Sequence, residues 1–534
     1  MATFDHPRPG GNRPSAAKRG SYRSGFAYGI LGFLIVAAVG LISTIATSRL
    51  YGVRIIGQFA LVLAPVGALW VLSTVKEQQA LIKEITGLPP QHPRVTQLFA
   101  VVFTFSSVLT AGMACLVGVA CWFVFRGPLD APGLIFPTFA SIAGYVIVTN
   151  TAWNIDSILS AFVAGREIFW VRLHEVLSFL VIAMAIGLAW QSVWGLVIAT
   201  IGGSLTALVH RMVWVRPFVR THLSWKEYCA GFRVLPELLR FGLKATPGQI
   251  AQGASQQGGI WALGIVAPVA LVGAYSRAQT IPDRLQQGSM RVNEVLYPTL
   301  VGRHTKGDGH GFDRALIDSI RYEMIGMLLI AATIGGPAHA VLEIFGPGFS
   351  KATPALALLA VYPALASITV AQTQALWATN RPARTSVIAM TRLAVTMALL
   401  VVLTPRIGIV GPAIALVAGY SIAIILNGIA LRITLTRPLR ATWPLRERFA
   451  LFVAYVAGFA AAHATEYAVP STVGLLLCLL AGAVVYALTF LVCGGINLRD
   501  RGRLAEAIGW VRSRQEQRAI SRKLRPVGRG QGHG

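Results

Sequence analysis

Three arginines spaced seven residues apart are the residues of this sequence whose chemistry is most evident. Arg277, Arg284 and Arg291 lie within one long predicted membrane helix, the least hydrophobic of those in the chain. On an α-helix seven residues make almost two turns, so the three guanidiniums would form a ladder along one face, with rungs about 10 Å apart. A charged side chain deep in a bilayer is costly. Three aligned cations therefore predict an anionic partner or a water-filled cavity.

Pairing with carboxylates is the structural alternative for this ladder. Asp283 points about 100° away from Arg284 on the same helix and is a poor partner for it, whereas Glu294 lies one turn from Arg291 and is a good one. Asp156 is the clearest carboxylate of an earlier segment. For Asp156 and Asp283 we predict either titration with a transported ion or pairing between the two halves of the protein.

The composition is that of a polytopic membrane protein. Of the 534 residues, 54% are hydrophobic and 13% are charged, and this charged fraction is about half that of a soluble domain. Apolar runs of about 20 residues, the length that crosses a bilayer, recur along the chain and predict an all-α protein with about 14 transmembrane helices. These runs lie near residues 25–48, 55–75, 95–125, 133–164, 168–190, 193–215, 237–265, 269–300, 318–343, 352–379, 384–405, 409–431, 447–467 and 471–493.

The basic residues set the predicted orientation. A net charge of +26 by itself suggests nucleic acid. However, 39 of the 47 lysines and arginines fall in the tails and in alternate connections, which the positive-inside rule assigns to the cytoplasm. We therefore predict a multi-pass protein of the inner membrane with both termini cytoplasmic and no nucleic-acid partner. Arg49 falls in an opposite connection, where it would contact a phosphate at the outer mouth or serve as an interfacial anchor.

Glycines repeat at one fixed offset along the chain. Gly57 and Gly273, Gly195 and Gly411, and Gly203 and Gly419 are each 216 residues apart. Coincidence is the simplest alternative, but the three pairs fall in equivalent segments and favour two six-helix lobes related by a parallel pseudo-repeat, followed by two further helices. The predicted units are a basic tail (1–24), an N-lobe (25–217), a linker (218–236), a C-lobe (237–432), two added helices (447–493) and a basic tail (494–534).

Several motifs resemble those of one transporter family. The segments at 48–52 and 57–61, Ser-Arg-Leu-Tyr-Gly and Gly-Gln-Phe-Ala-Leu, look like the first-loop signature of polysaccharide exporters in the multidrug/oligosaccharidyl-lipid/polysaccharide (MOP) superfamily. The segment 272–278, Val-Gly-Ala-Tyr-Ser-Arg-Ala, resembles the start of their eighth helix. The later loops at 344–349 and 407–415 are similar too, so the resemblance covers roughly residues 25–432.

This resemblance implies a flippase that moves polyprenyl-pyrophosphate-linked oligosaccharide across the cytoplasmic membrane by alternating access, for cell-surface polysaccharide synthesis. Arginine suits the pyrophosphate because its planar fork donates two parallel hydrogen bonds to phosphate. Amides of a polar run in the seventh segment suit sugar hydroxyls. The predicted substrate-binding residues, with Arg284 as the central contact, are Arg277, Arg284, Arg291, Gln252 and Gln256.

Other functions stay open at this point. A lipid II flippase and a multidrug or ion antiporter belong to the same superfamily, although the first two segments lack the usual lipid II pattern and the first lacks the antiporter carboxylate. A glycosyltransferase and a scaffold are further alternatives. We expect no cofactor, since neither a nucleotide-binding loop nor a metal-ligand pattern occurs. The expected partners of a monomeric transport unit are lipid-linked oligosaccharide, anionic membrane lipid and polysaccharide-synthesis enzymes.

Overall fold

The computed structural model describes residues 22–75, 77–86, 88–162, 164–220, 222–433, 435, 443–469 and 472–495. Side chains are described in these ranges except at 22–31, 79–80, 83, 237–238, 240–242, 244–245, 291–292, 294–295 and 472–473. Most of the two predicted basic tails therefore lies outside the described residues. In the described ranges all regular structure is helical, which confirms the predicted all-α class.

The first half of the protein comprises helices α1 to α7. Helix α1 is broken at Gly52, whose backbone is not helical (φ 73°, ψ 167°). Such a positive φ is open to glycine because it has no Cβ, so α1 consists of two helical segments joined by a sharp turn at Gly52. A π-helical turn at 145–149 joins α4 to α5 within one continuous span. The bounds are α1 Tyr22–Leu72, α2 Glu77–Ile85, α3 Pro93–Arg126, α4 Ile135–Gly144, α5 Asn150–Ala161, α6 Gly165–Ala189 and α7 Val193–Val215.

A short helix, α8 (Trp225–Gly231), precedes the second half. It begins with a capping box formed by Ser224 and Glu227 and docks on α3, where the Gln97 amide donates to the Glu227 carbonyl oxygen at 2.6 Å. The second half comprises α9 to α16. The bounds are α9 Leu235–Val266, α10 Val269–Thr305, α11 Gly309–Gly335, α12 Ala338–Glu343, α13 Thr353–Leu359, α14 Tyr362–Ala378, α15 Pro382–Ile407 and α16 Val410–Leu431.

Two C-terminal helices, α17 (Leu445–Ala468) and α18 (Thr472–Val492), form an antiparallel pair. They pack closely because small residues line their contact: a Cβ on Gly482 would lie 2.9 Å from the Cβ of Ala462. The pair attaches to α11 through a buried salt bridge, in which Arg321 Nε lies 2.9 Å from Glu447 Oε2. The predicted division of the chain into two lobes and two added helices stays a prediction.

Within the described residues, 10 helical segments are long and apolar enough to cross a membrane, one of which joins the two parts of α1. Helices α9, α10 and α11 are not among them, because their sequences carry many polar residues. Helix α10 has 37 residues, a length of about 55 Å at 1.5 Å per residue, which is more than a membrane span requires. The protein is a multi-pass membrane protein, and the count of about fourteen spans stays a prediction.

The two halves meet along α1, α9 and α10. The second part of α1 packs along α9, where a Cβ on Gly67 would lie 2.7 Å from the Gln257 side chain and a Cβ on Gly264 would lie 2.6 Å from Leu61. One end of this junction holds the α1 turn and the start of α10, and we call it the Arg49 end. It contains two of the predicted site residues, Arg49 and Arg277.

Candidate functional site

Two glycines allow the halves to meet backbone to backbone at the Arg49 end. A Cβ on Gly57 would overlap the carbonyl oxygen of Val269, and a Cβ on Gly273 would overlap the carbonyl oxygen of Val53. Val53 and Val269, like the two glycines, are 216 residues apart. The contact is therefore reciprocal, as a two-fold relation between equivalent segments requires.

A second reciprocal pair lies beside this glycine contact. Arg277 Nε donates to Ser48 Oγ at 2.7 Å, and the residues 216 positions away from these two, Leu61 and Gly264, are also in contact. The two pairs occupy equivalent positions but differ in chemistry: the contact of Arg277 with Ser48 is polar, whereas the contact of Leu61 with Gly264 is apolar. Arg277 brings a positive charge to this contact between the halves.

Arg277 carries its charge without a nearby carboxylate. Ser48, its hydrogen-bond partner, is fully buried and neutral, and no Asp or Glu of the described residues forms a salt bridge with Arg277. A neutral hydroxyl satisfies one N–H group but does not balance the charge. An anion at this position would balance the charge of Arg277.

Arg49 makes a similar contact across the same end. Its Nε donates to the carbonyl oxygen of Ile344, in the loop after α12, at 2.7 Å. The backbone turns sharply there, with positive φ angles at Gly346 and Gly348, and a Cβ on Gly348 would lie 3.2 Å from Val53. The predicted outer-mouth residue thus lies where the first half contacts a loop of the second half.

The remaining rungs of the ladder have different surroundings. Arg284 is exposed, and its Nη1 donates to Gln287 Oε1 of the same helix at 3.4 Å. The side chain of Arg291 lies outside the described residues, as does that of Glu294, so the predicted pairing of these two stays a prediction. The structure therefore places two rungs: Arg277 in the closed junction and Arg284 on an exposed face about 10 Å further along α10.

Polar side chains of the second half pack against the buried side of α10. Gln256 Nε2 donates to Gln286 Oε1 at 3.1 Å and to the Tyr362 hydroxyl oxygen at 2.9 Å. Asp283 lies beside Gln279 and Tyr362, and its Oδ1 is buried without a hydrogen bond to any described residue. Gln256, predicted to contact substrate, is thus engaged within its own half. Asp283 sits one residue after Pro282, which interrupts the hydrogen-bonding of α10.

Gln252 lies in a different place, a cavity of about 160 Å³ between α9, α10, α14, α15 and α16. This cavity lies within the second half and away from the Arg277 contact. The two glutamines that the sequence grouped together therefore have separate surroundings, one engaged in a buried network and the other lining a space.

Asp156 corrects one prediction. It lies 2.8 Å from Arg211 Nε and 2.7 Å from Arg172 Nη2, and Glu175 lies 2.9 Å from Arg211 Nη2. All four residues belong to the first half, so the predicted pairing of Asp156 with the ladder between the halves is wrong for this conformation. The reason is that Arg211, only 1% exposed, offers two N–H groups to carboxylates that converge on it from α5 and α6. Sequence reasoning missed this cluster because it counted Arg211, near the end of the run 193–215, among the 39 basic residues of the tails and connections.

One known protein family matches this chain. The family model described as polysaccharide biosynthesis protein matches residues 57–325, just over half of the chain. The chain belongs to this family. A search of curated proteins finds no match.

Solved structures of several transporters share the fold of this polysaccharide biosynthesis family member. A lipid II flippase MurJ in an inward closed conformation matches with a TM-score of 0.66 at 11% identity, over 87% of this chain and 97% of that one. The eukaryotic MATE transporter AtDTX14 gives 0.53 at 13% identity, over 80% and 98%. A MOP superfamily transporter from Pyrococcus furiosus gives 0.54 at 16% identity, over 78% and 96%. At these identities the likeness shows the fold, and together with the family match it confirms the predicted membership of the MOP superfamily.

Proposed function

We propose that this transporter moves a polyprenyl-pyrophosphate-linked oligosaccharide across the cytoplasmic membrane by alternating access, for cell-surface polysaccharide synthesis. The observation that carries the proposal is the contact of Arg277 with Ser48 across the junction of the halves. It holds a cation, without a carboxylate of the described residues beside it, at the place that must open for a substrate to leave. Family membership supports a polysaccharide precursor as the cargo.

The Arg49 end is, in this proposal, the extracytoplasmic end. The positive-inside rule supports this orientation, because the connections and tails at the opposite end hold most of the basic residues. Both termini are then cytoplasmic and the protein lies in the inner membrane. With this orientation, the reciprocal glycine contact would close the protein toward the outside.

The phosphate contacts follow in order along α10. Arg284 is exposed in this state and would receive the pyrophosphate first, with two parallel hydrogen bonds to its oxygens. Separation of the halves at the Arg49 end would release Arg277 from Ser48 and Arg49 from the Ile344 carbonyl. The guanidiniums of Arg277 and Arg49 would then be free to donate hydrogen bonds to the headgroup as it arrives. The polyprenyl tail stays in lipid, and Arg291 extends the series toward the cytoplasm.

The carboxylates have different roles in this proposal. Asp283 is the candidate for coupling to an ion, because it is a carboxylate on the same helix as the phosphate contacts and its Oδ1 has no hydrogen-bond partner among the described residues. Asp156 is structural, since Arg172 and Arg211 neutralise it within the first half. The transport unit is a monomer, and the basic tails contact anionic lipid and polysaccharide-synthesis enzymes.

Export in living cells tests the proposal. In a depletion strain, the Arg277→Gln/Arg284→Gln double variant should accumulate lipid-linked oligosaccharide on the cytoplasmic side, whereas Arg54→Gln, an exposed arginine near the same end, should export normally. Undiminished export by a double variant present at normal levels would refute the role of the arginines. Accumulation of lipid II, or drug sensitivity without a polysaccharide defect, would favour the alternative cargoes instead.

A further inference from the structure

A buried arginine outside the ladder marks a second site. Arg392 lies in α15, ten residues after its start at Pro382, which is about 15 Å into the helix. It is 4% exposed and its Cζ lies 4.5 Å from the centre of the Tyr420 ring. Its Nε is buried without a hydrogen-bond partner among the described residues.

Arg392 lines the cavity of about 160 Å³ in the second half. Among the lining residues that the structure describes, it is the one charged side chain, and none is an Asp or Glu. A buried cation without an opposite charge is strongly unfavourable, and natural proteins pair such groups. An anionic ligand in the cavity would therefore balance the charge of Arg392.

The other lining groups suit hydroxyls. Gln286 Nε2, Gln374 Oε1 and Asn427 Oδ1 are buried and make no hydrogen bond to a described residue. Carboxamides can both donate to and accept from a hydroxyl, so three such groups around one space fit a polyhydroxylated ligand. The carboxamide residues of the lining are Gln249, Gln252, Gln286, Gln374 and Asn427.

Size and charge narrow the ligand further. A cavity of about 150 Å³ can hold a molecule the size of benzene, so this one has room for at most about one sugar ring and not for a longer glycan. One lining arginine balances one negative charge, which matches a carboxylate better than a phosphate monoester carrying about −1.5 to −2 at neutral pH. We propose that this cavity, the Arg392 cavity, binds one hexuronate-like residue, a pyranose ring with a carboxylate that pairs with Arg392.

The proposal names the cargo more closely and rests on the proposed function in one respect: the acidic sugar would belong to the transported glycan. The cavity lies in the part of the second half opposite the Arg49 end, because it is lined by the early residues of α15 and the late residues of α14 and α16. A glycan that entered from the cytoplasm would reach it before the halves separate.

Binding of free sugars to the full-length protein in detergent micelles tests this directly. By calorimetry, D-glucuronate should bind saturably and at least about 10-fold more tightly than D-glucose, which lacks the carboxylate, or acetate, which lacks the ring. Arg392→Gln should remove this preference. Arg384→Gln, an exposed arginine two turns earlier on the same helix, should retain it.

Other results would contradict the pairing of a carboxylate with Arg392, the binding of a sugar ring, or both. Equal binding of glucuronate and glucose, or unchanged binding by Arg392→Gln, contradicts the charge pairing. Acetate binding as tight as glucuronate would make the cavity a small-anion site and refute the sugar. If Arg392→Gln does not fold, Gln374→Ala should still weaken glucuronate binding several-fold. The binding assay contains no lipid-linked substrate, so it is independent of transport. If the wild type exports polysaccharide but does not bind glucuronate, the cavity assignment is refuted and the proposed function stands. If it binds glucuronate but does not export polysaccharide, the proposed function is refuted and the cavity assignment stands.

Discussion

Gly57 and Gly273 contact each other's helices through backbone atoms at the junction of the two halves, and each leaves no room for a methyl group. Close approach of this kind is typical of small residues between membrane helices, where packing takes the place of the hydrophobic effect. Because both glycines lie at the Arg49 end, the same contact that joins the halves must break when this end opens.

Replacement of Gly273 by alanine should hold the Arg49 end open. The added Cβ would overlap the Val53 carbonyl oxygen, so the closed junction cannot form, while each half keeps its own packing. Ser48→Cys, buried in the closed state, reports the change in a chain without native cysteines. Its labelling by a membrane-impermeant thiol reagent should be at least about 10-fold faster in Gly273→Ala.

Gly40→Ala is the matched control for this experiment, because a Cβ at Gly40 meets nothing within 4 Å. It should leave the labelling rate of Ser48→Cys unchanged. Equal rates in the two alanine variants would show that the glycine contact does not control opening.

The two placed rungs of the ladder should differ in their kinetic effect. Arg284 is exposed in the closed state and Arg277 is engaged with Ser48. Arg284→Gln should therefore raise KM for the lipid-linked substrate, by about 10-fold for one charge-assisted contact. Arg277→Gln should mainly lower kcat, since its contact with phosphate forms as the halves separate. Initial transport rates across a range of substrate concentrations measure both, and a pure KM effect of Arg277→Gln would argue against this order of contacts.

The Arg211 cluster should contribute stability and not transport chemistry. Arg211→Met would leave the Asp156 and Glu175 carboxylates without their most buried partner, which typically costs about 3–5 kcal/mol. Arg172 is 42% exposed, so Arg172→Met should cost about 1 kcal/mol or less. Thermal unfolding in detergent compares the two. An Arg211→Met protein that is as stable as Arg172→Met would mean that the cluster is not a stabilising unit.

The capping box of α8 should depend on pH. Glu227 accepts hydrogen bonds from the Ser224 backbone N–H at 2.9 Å and from its hydroxyl at 2.8 Å, and these bonds hold the pKa of Glu227 below its ordinary value. A lowered pKa in the folded state means that the carboxylate stabilises α8 above the unfolded pKa and ceases to do so as the pH falls through the folded pKa.

Hydrogen exchange of α8, compared with Glu227→Ala at each pH, measures this effect. The wild type should be better protected than the variant at neutral pH, and the difference should vanish in acid. A difference that persists unchanged well below the pKa of an ordinary glutamate would contradict a role for the carboxylate.

The sequence predicted the features that depend on spacing along one chain segment. The 216-residue offset identified Gly57 and Gly273 before their contact was known, because only glycine permits two helices to approach so closely and the repeat requires it twice. The seven-residue spacing placed the ladder on one helix. Its surroundings could not be predicted, since the partner of Arg277 is Ser48, 229 positions earlier.

Charged residues near helix ends were the least predictable. Arg211 and Arg392 lie close to predicted helix ends and were counted among the 39 basic residues of the tails and connections, yet both are buried within helices, at 1% and 4% exposure. The apolar runs fix helix ends only to within several residues, and that uncertainty decides whether an arginine faces solvent or the interior. The partner of Asp156 likewise depends on how α5, α6 and α7 pack, which no local pattern records.

Transport by purified protein in liposomes tests the central claim most directly. The substrate is a polyprenyl-pyrophosphate-linked oligosaccharide that a glycosidase added outside can trim once it is exposed. We predict that protein-containing liposomes expose the substrate from the inner leaflet, that Arg277→Gln/Arg284→Gln protein does so at least about 10-fold more slowly, and that Arg54→Gln protein matches the wild type. Equal exposure by the double variant and the wild type, with equal reconstitution, would contradict the account.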